Sequence, residues 1–168
     1  MTGSGQCGAP AAEAAIADAP DVAALGAGGG KPDPILLVED EIFIRLANAD
    51  WLREAGYGVI EAGDAAEALA VLASGQPLAL LATDITMPGS IDGLALAEKA
   101  RAARPGLPVA LLSARVPDDH SRHADAALAK PFGPRQLIGL VADLIGEPWR
   151  GASAANDTDE AGKSQEGN

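Results

Sequence analysis

Aromatic side chains are scarce: two Trp, one Tyr and two Phe make up 3% of the 168 residues. A core built from this chain must be filled by Ala, Leu, Val and Ile, which the 48% hydrophobic content allows. Basic residues are also few, 12 against 24 acids, for a net charge of −12. Non-specific nucleic-acid binding needs a basic surface to displace counterions, so that class is set aside, while a partner with a basic docking patch is not. Cys7 is the single cysteine, which excludes an internal disulfide and any multi-cysteine metal site. The first basic side chain is Lys31 and no long apolar run precedes it, so the N-terminus lacks the charged start and apolar stretch of a secretory signal. No run reaches the length of a membrane span. The expectation is a soluble, cytoplasmic protein with no nucleic-acid or membrane partner.

Composition divides the chain. Residues 1–33 are mostly Ala, Gly, Pro and acids, and residues 148–168 carry almost no large apolar side chain. Both read as disordered, flanking a single domain over 34–147. The G-A-G-G-G at 26–30 follows no apolar run and is a flexible linker rather than a nucleotide-binding loop.

Inside the domain, short apolar runs recur at 35–38, 58–61, 78–82, 108–112 and 125–129, and helix-period stretches follow most of them. Ile42, Leu46, Ala49 and Leu52 mark one helix, stopped by Gly56. Asp64 caps the next, with Ala68, Leu69 and Leu72 on one side until Gly75. Residues 91–103 form a third, and 134–145 a last one opened by Pro134. Five rounds of alternation predict a doubly wound α/β fold: a parallel sheet with helices on both faces and chemistry at the carboxyl ends of its strands.

What stands at those ends is unusual. Strand one runs I-L-L-V into Glu39, Asp40 and Glu41. Two readings fit these acids: Asp40 caps the next helix with the glutamates at its positive end, or the carboxylates hold a divalent cation. Strand three ends in Thr83-Asp84, strand four in Ser113, and strand five in Lys130. Each alone has an ordinary explanation as a cap, a backbone-bonded hydroxyl or a solvated charge. Together they bring carboxylates, a hydroxyl and an amine to one sheet edge, and clustered carboxylates stay ionised only beside a cation. Mg²⁺ suits such oxygen ligands, and an aspartate flanked by Mg²⁺, an amine and a hydroxyl can accept a phosphoryl group.

The set V-E-D-E, T-D-I-T-M-P-G, L-L-S-A and A-K-P-F closely resembles the receiver domain of bacterial response regulators, over roughly Pro34 to Gly146. That resemblance implies a flavodoxin-like five-stranded sheet of order 2-1-3-4-5. It implies that Asp84 accepts phosphate from a histidine kinase or phosphotransfer protein. Mg²⁺ would be held by Asp40, Asp84 and the Thr86 backbone carbonyl, with Glu39 acting through water. Ser113 matches the switch hydroxyl and Lys130 the lysine on the phosphoryl oxygens, and the Lys130–Pro131 bond is expected to be cis.

Two features depart from the family's pattern. Ala127 stands where an aromatic switch is usual, and only 17 positions, as 130 − 113, separate Ser113 from Lys130, so the fourth helix must be short or irregular. The resulting expectation is a stand-alone receiver, not an enzyme beyond its own phosphorylation and dephosphorylation. It signals by protein contact to an unknown downstream partner or acts as a phosphate sink, and Arg115 is a candidate modulator. The rival reading is a pseudo-receiver, a binding module that never uses phosphate. His120 and His123 read as solvated, Arg101 and Arg104 as a solvated helix face, Met87 and Pro88 as turn residues, and Phe132 and Trp149 as edge packing.

Overall fold

The computed structural model describes residues 32–148; the arm and tail expected at 1–31 and 149–168, with Trp149, lie outside the described residues. Five strands form one parallel sheet: β1 (Ile35–Val38), β2 (Val59–Ala62), β3 (Leu80–Asp84), β4 (Val109–Ser113) and β5 (Ala126–Ala129), in the spatial order β2-β1-β3-β4-β5. The helices are α1 (Ile42–Glu54), α2 (Ala65–Ala73), α3 (Gly93–Ala103) and α4 (Pro134–Ile145). Between β4 and β5 the expected fourth crossover helix is reduced to a single 3-10 turn, His120–Arg122. Pro117 and the polar run after it offer no apolar stripe for a longer one.

Alternation along the strands divides the interior. Leu36, Val38, Leu81, Val109 and Leu111 face α2 and α3, while Ile35, Leu37, Leu80, Ala110 and Leu112 face α1 and α4. These strand residues are wholly buried, as expected for a sheet covered on both faces. Each large one contributes roughly 1.5–3 kcal/mol by leaving water.

Local signals hold where they are mechanical. The Asp64 carboxylate accepts from the Glu67 N–H at 2.8 Å, and Asp92 does the same for Ala95 at the start of α3. Gly56 takes a positive φ of 104° after α1, a conformation other residues adopt only with strain.

Several expectations need correction. The helix marked by Ile42 and Leu46 is present, but both residues are exposed, 52% and 43%, because the first turns of α1 project past the end of the short strand β1. The buried face of α1 is Asn48, Ala49 and Leu52 instead. Glu41 rather than Asp40 stands at the N-cap and starts α1, and its side chain makes no capping bond. Met87 is a core residue rather than a turn residue. Arg104 is not a solvated charge: its guanidinium donates to the carbonyls of Leu72 and Gln76, joining the end of α3 to that of α2. Arg101 pairs with Asp125 at 2.9 Å. His120 and His123 are half-buried, with His123 Nδ1 3.1 Å from Glu98.

Candidate functional site

Register delivers the site. In the β1–β3 ladder Val38 lies beside Thr83, so Glu39 and Asp84 leave the sheet side by side. Strand order reverses at this pair, which opens the crevice where open α/β sheets place their ligands. On β4, Leu112 pairs with Asp84, which puts Ser113 one step further out. Ser113 pairs with Ala129 on β5, so Lys130 follows, its N–H donating to the Ser113 carbonyl at 2.9 Å. Glu39, Asp84 and Ser113 are buried, and Asp40 is exposed at the rim.

The Lys130 ammonium donates to Glu39 Oε2 and to Asp84 Oδ2, each at 2.6 Å. One carboxylate oxygen from each of Glu39, Asp40 and Asp84 lies within 4.8 Å of the others. Unit charges at about 4 Å repel by about 1 kcal/mol even in bulk water, and by more where water is excluded. A single ammonium offsets three carboxylates incompletely. The oxygen-only donor set, one member of it solvent-facing, suits a hard divalent cation that keeps part of its water shell. Thr86, exposed in the β3–α3 loop, donates its N–H to Asp84 Oδ1 at 3.0 Å, which fixes the carboxylate plane. The Lys130–Pro131 bond is cis.

Burial pushes the Glu39 carboxyl above its ordinary 4.5, and the charges of Asp84 and Asp40 add to the rise while Lys130 opposes it. For Lys130 burial acts downward, but the hydrogen bonds and charges of Asp84 and Glu39 outweigh it, and the ammonium titrates above 10.5. A cation with a raised folded-state value adds stability that is whole below 10.5 and is lost as pH climbs from there through the raised value. Urea midpoints of the wild type are therefore expected to fall more steeply above pH ~10.5 than those of Lys130→Met. Equal alkaline slopes in the two proteins would contradict the ion-pair assignment.

Other expected residues are placed differently. Arg115 is exposed, and only its main-chain N–H approaches Ser113 Oγ, at 3.4 Å. Ala127 pairs with Leu111 and packs against the α2–α3 side of the core. Two residues with a bearing on the site carried no clear signal. Arg45, on α1, donates from Nη1 to the Glu39 carbonyl at 2.6 Å. Gly93 begins α3 against the Asp84 backbone, where an added Cβ would stand 1.9 Å from the Asp84 carbonyl oxygen. The D-G-L sequence, a glycine straight after a cap residue, was the available hint of that close approach.

An open parallel sheet with buried acids and one lysine at its switch point defines a doubly wound α/β protein built for anion and cation chemistry. The family follows from comparison: residues 35–142 match the model of the response regulator receiver domain, and the chain belongs to that family. It is similar to the transcriptional regulatory protein AruR of Pseudomonas aeruginosa, 36% identical over 66% of this chain and 48% of AruR. The chain thus spans about half the length of that relative. Among solved structures, a response regulator receiver protein of Sinorhizobium medicae matches with a TM-score of 0.63 and 31% identity, over 67% of this chain and 94% of that one. The response regulator TrrA of Thermotoga maritima, solved in complex with Mg²⁺ and BeF, matches with a TM-score of 0.61 and 33% identity, over 67% and 99%.

Proposed function

We propose that this receiver domain takes a phosphoryl group on Asp84 from the phosphohistidine of a histidine kinase or phosphotransfer protein, in a Mg²⁺-dependent reaction in the cytoplasm. The observation that carries the reading is the Lys130 ammonium held at 2.6 Å from both Glu39 and Asp84, with Asp40 completing the acid cluster. In the reaction an Asp84 carboxylate oxygen forms a bond to phosphorus as the phosphorus–nitrogen bond breaks. The imidazole leaves and takes up a proton, and Asp84 becomes an acyl-phosphate. Asp40, Asp84 and Glu39 are the side chains that would hold Mg²⁺, which supplies charge neutralisation on the transferring oxygens. Lys130 contributes fixed positive charge and Ser113 a hydroxyl donor at the same edge. The protein promotes only its own phosphorylation and hydrolysis and is not otherwise an enzyme.

The donor is a protein on this reading. Ile42, Phe43 and Leu46 are exposed on the first turns of α1, which rise directly from the Glu39–Asp40 corner, and such apolar surface suits a macromolecular partner. With Ala127 in place of an aromatic and one 3-10 turn in place of a helix, phosphorylation acts on the loops around Asp84 and Ser113. A downstream protein would read those loops, or the domain would draw phosphate from a shared kinase.

Intact mass after incubation with a small acyl-phosphate donor tests the reading. One phosphoryl increment is expected with Mg²⁺ and none with EDTA. Absence of the increment at saturating donor and Mg²⁺ would favour a binding module that does not use phosphate.

A further inference from the structure

We infer that Arg45 is a positioning residue for the cation site: it sets the β1–α1 corner so that Glu39 and Asp40 present their carboxylates together with Asp84. This rests on the Mg²⁺-dependent reading above and assigns a further residue to it. Arg45 lies one turn into α1 with its side chain 17% exposed, unlike a solvated helix charge. Its Nη1 donates to the Glu39 carbonyl oxygen at 2.6 Å, and its Nε is 3.6 Å from Glu61 Oε2 on β2. Glu61 is held from the other side by Arg53, 2.8 Å from Oε1.

These contacts fix both main-chain groups of Glu39. Its N–H donates to the Ala62 carbonyl at 3.2 Å, extending the β1–β2 ladder by one step, and its C=O is taken by Arg45. The carbonyl leads straight into Asp40, which is solvent-facing and bonded to no side chain among the described residues. Arg45 N–H in turn donates to the Glu41 carbonyl, the first turn of α1. Arg45 thus ties the residue just after the strand, through its guanidinium, to the first turn of the helix to which its main chain belongs, across Asp40 and Glu41. Room for it comes from Gly63, where a Cβ would stand 3.3 Å from Nη1. Lys130 holds the Glu39 side chain, but among the described residues only Arg45 holds the peptide that aims Asp40. Without Arg45 that peptide rotates more freely, and the ordering of Asp40 becomes a cost of binding the ion.

The test is Mg²⁺ affinity of the full chain, followed by amide chemical shifts on titration with MgCl₂, alongside urea denaturation. Arg45→Met keeps the aliphatic stem and removes every donor. It is expected to weaken Mg²⁺ by about tenfold, the usual scale when an outer partner of a metal ligand is lost. Its labelling by an acyl-phosphate is expected to recover when Mg²⁺ is raised to saturation, because the nucleophile and Lys130 are untouched. Glu61→Gln breaks the ion pairs but leaves the carbonyl bond, so its Mg²⁺ affinity is expected within about twofold of wild type, the scatter of a neutral substitution. A folded Arg45→Met protein that binds Mg²⁺ within about twofold of wild type overturns the inference and leaves the phosphoacceptor reading standing. Should Arg45→Met fail to fold, Arg45→Gln decides in the same way, since its side chain is two atoms shorter and falls short of the Glu39 carbonyl that Nη1 reaches at 2.6 Å. No saturable Mg²⁺ binding by the wild type overturns the inference together with the reading beneath it.

Discussion

Asp84→Asn is expected to abolish phosphorylation while leaving the chain folded. The substitution is nearly isosteric, and the new amide oxygen can still accept from the Thr86 N–H, which lies 3.0 Å from Asp84 Oδ1. Lys130 keeps Glu39 at 2.6 Å, so the ammonium is not left alone in a site with little water. What is lost is the anionic oxygen that attacks phosphorus. Removing a nucleophile costs orders of magnitude, and here a fall of at least about a thousandfold in the rate of labelling is expected. Intact mass with an acyl-phosphate donor and Mg²⁺ reads the rate, and urea denaturation checks the fold. Stoichiometric labelling of folded Asp84→Asn would remove Asp84 from the mechanism and point to another carboxylate in the cluster. Glu39→Gln, tested in parallel, is expected to slow labelling without ending it.

How far the sequence disclosed this arrangement depends on the reach of each interaction. Ile35-Leu36-Leu37-Val38 announces a strand buried on both faces, and Asp64 and Pro134 announce helix starts, because those signals act within a few residues. Glu39, Asp84, Ser113 and Lys130 could be assembled from 91 positions of chain because each follows directly on a legible strand, and parallel register carries strand ends to one edge. Arg45 could not be found in this way. On a helical wheel it is one more polar residue in α1, and its partners are the carbonyl of Glu39 and a side chain on β2, which only tertiary packing brings near. Arg104 was misread for the same reason: the carbonyls that it reaches belong to Leu72 at the end of α2 and to Gln76 in the loop after it. Ile42 and Leu46 mark the helix but not its buried face. Their spacing is that of a core stripe, but spacing does not tell where the sheet beneath the helix stops.

The Gly93→Ala variant is expected to lose both stability and phosphoacceptor activity through a single methyl group. Built on the existing backbone, that Cβ would stand 1.9 Å from the Asp84 carbonyl oxygen, 2.7 Å from the Asp84 carbonyl carbon and 2.8 Å from the Ile85 Cα, against 3.4–4 Å for ordinary contact. All three neighbours are main chain, so no rotamer change relieves the overlap. The Asp84 carbonyl is further tied by the Thr83 hydroxyl, which donates to it at 2.9 Å. On the other side, the start of α3 is pinned by the Gly93 N–H on the Ile85 carbonyl at 2.9 Å and by the Asp92 cap. Either α3 lifts, breaking that bond and loosening Leu96 and Ala97 in the core, or the end of β3 moves and carries Asp84 with it. Overpacking of this kind costs roughly 1–3 kcal/mol, and a shift of about 1 Å in a reacting group can cost about a hundredfold in rate. Urea midpoints and the labelling rate at saturating Mg²⁺ measure the two losses separately. Gly139→Ala in α4 is the matched control: a Cβ there meets nothing within 4 Å, and helix propensity favours alanine by roughly 1 kcal/mol. That control should be at least as stable as wild type and label normally. If Gly93→Ala behaves as Gly139→Ala does, the seat of α3 on the phosphoacceptor backbone has no part in holding Asp84 in place.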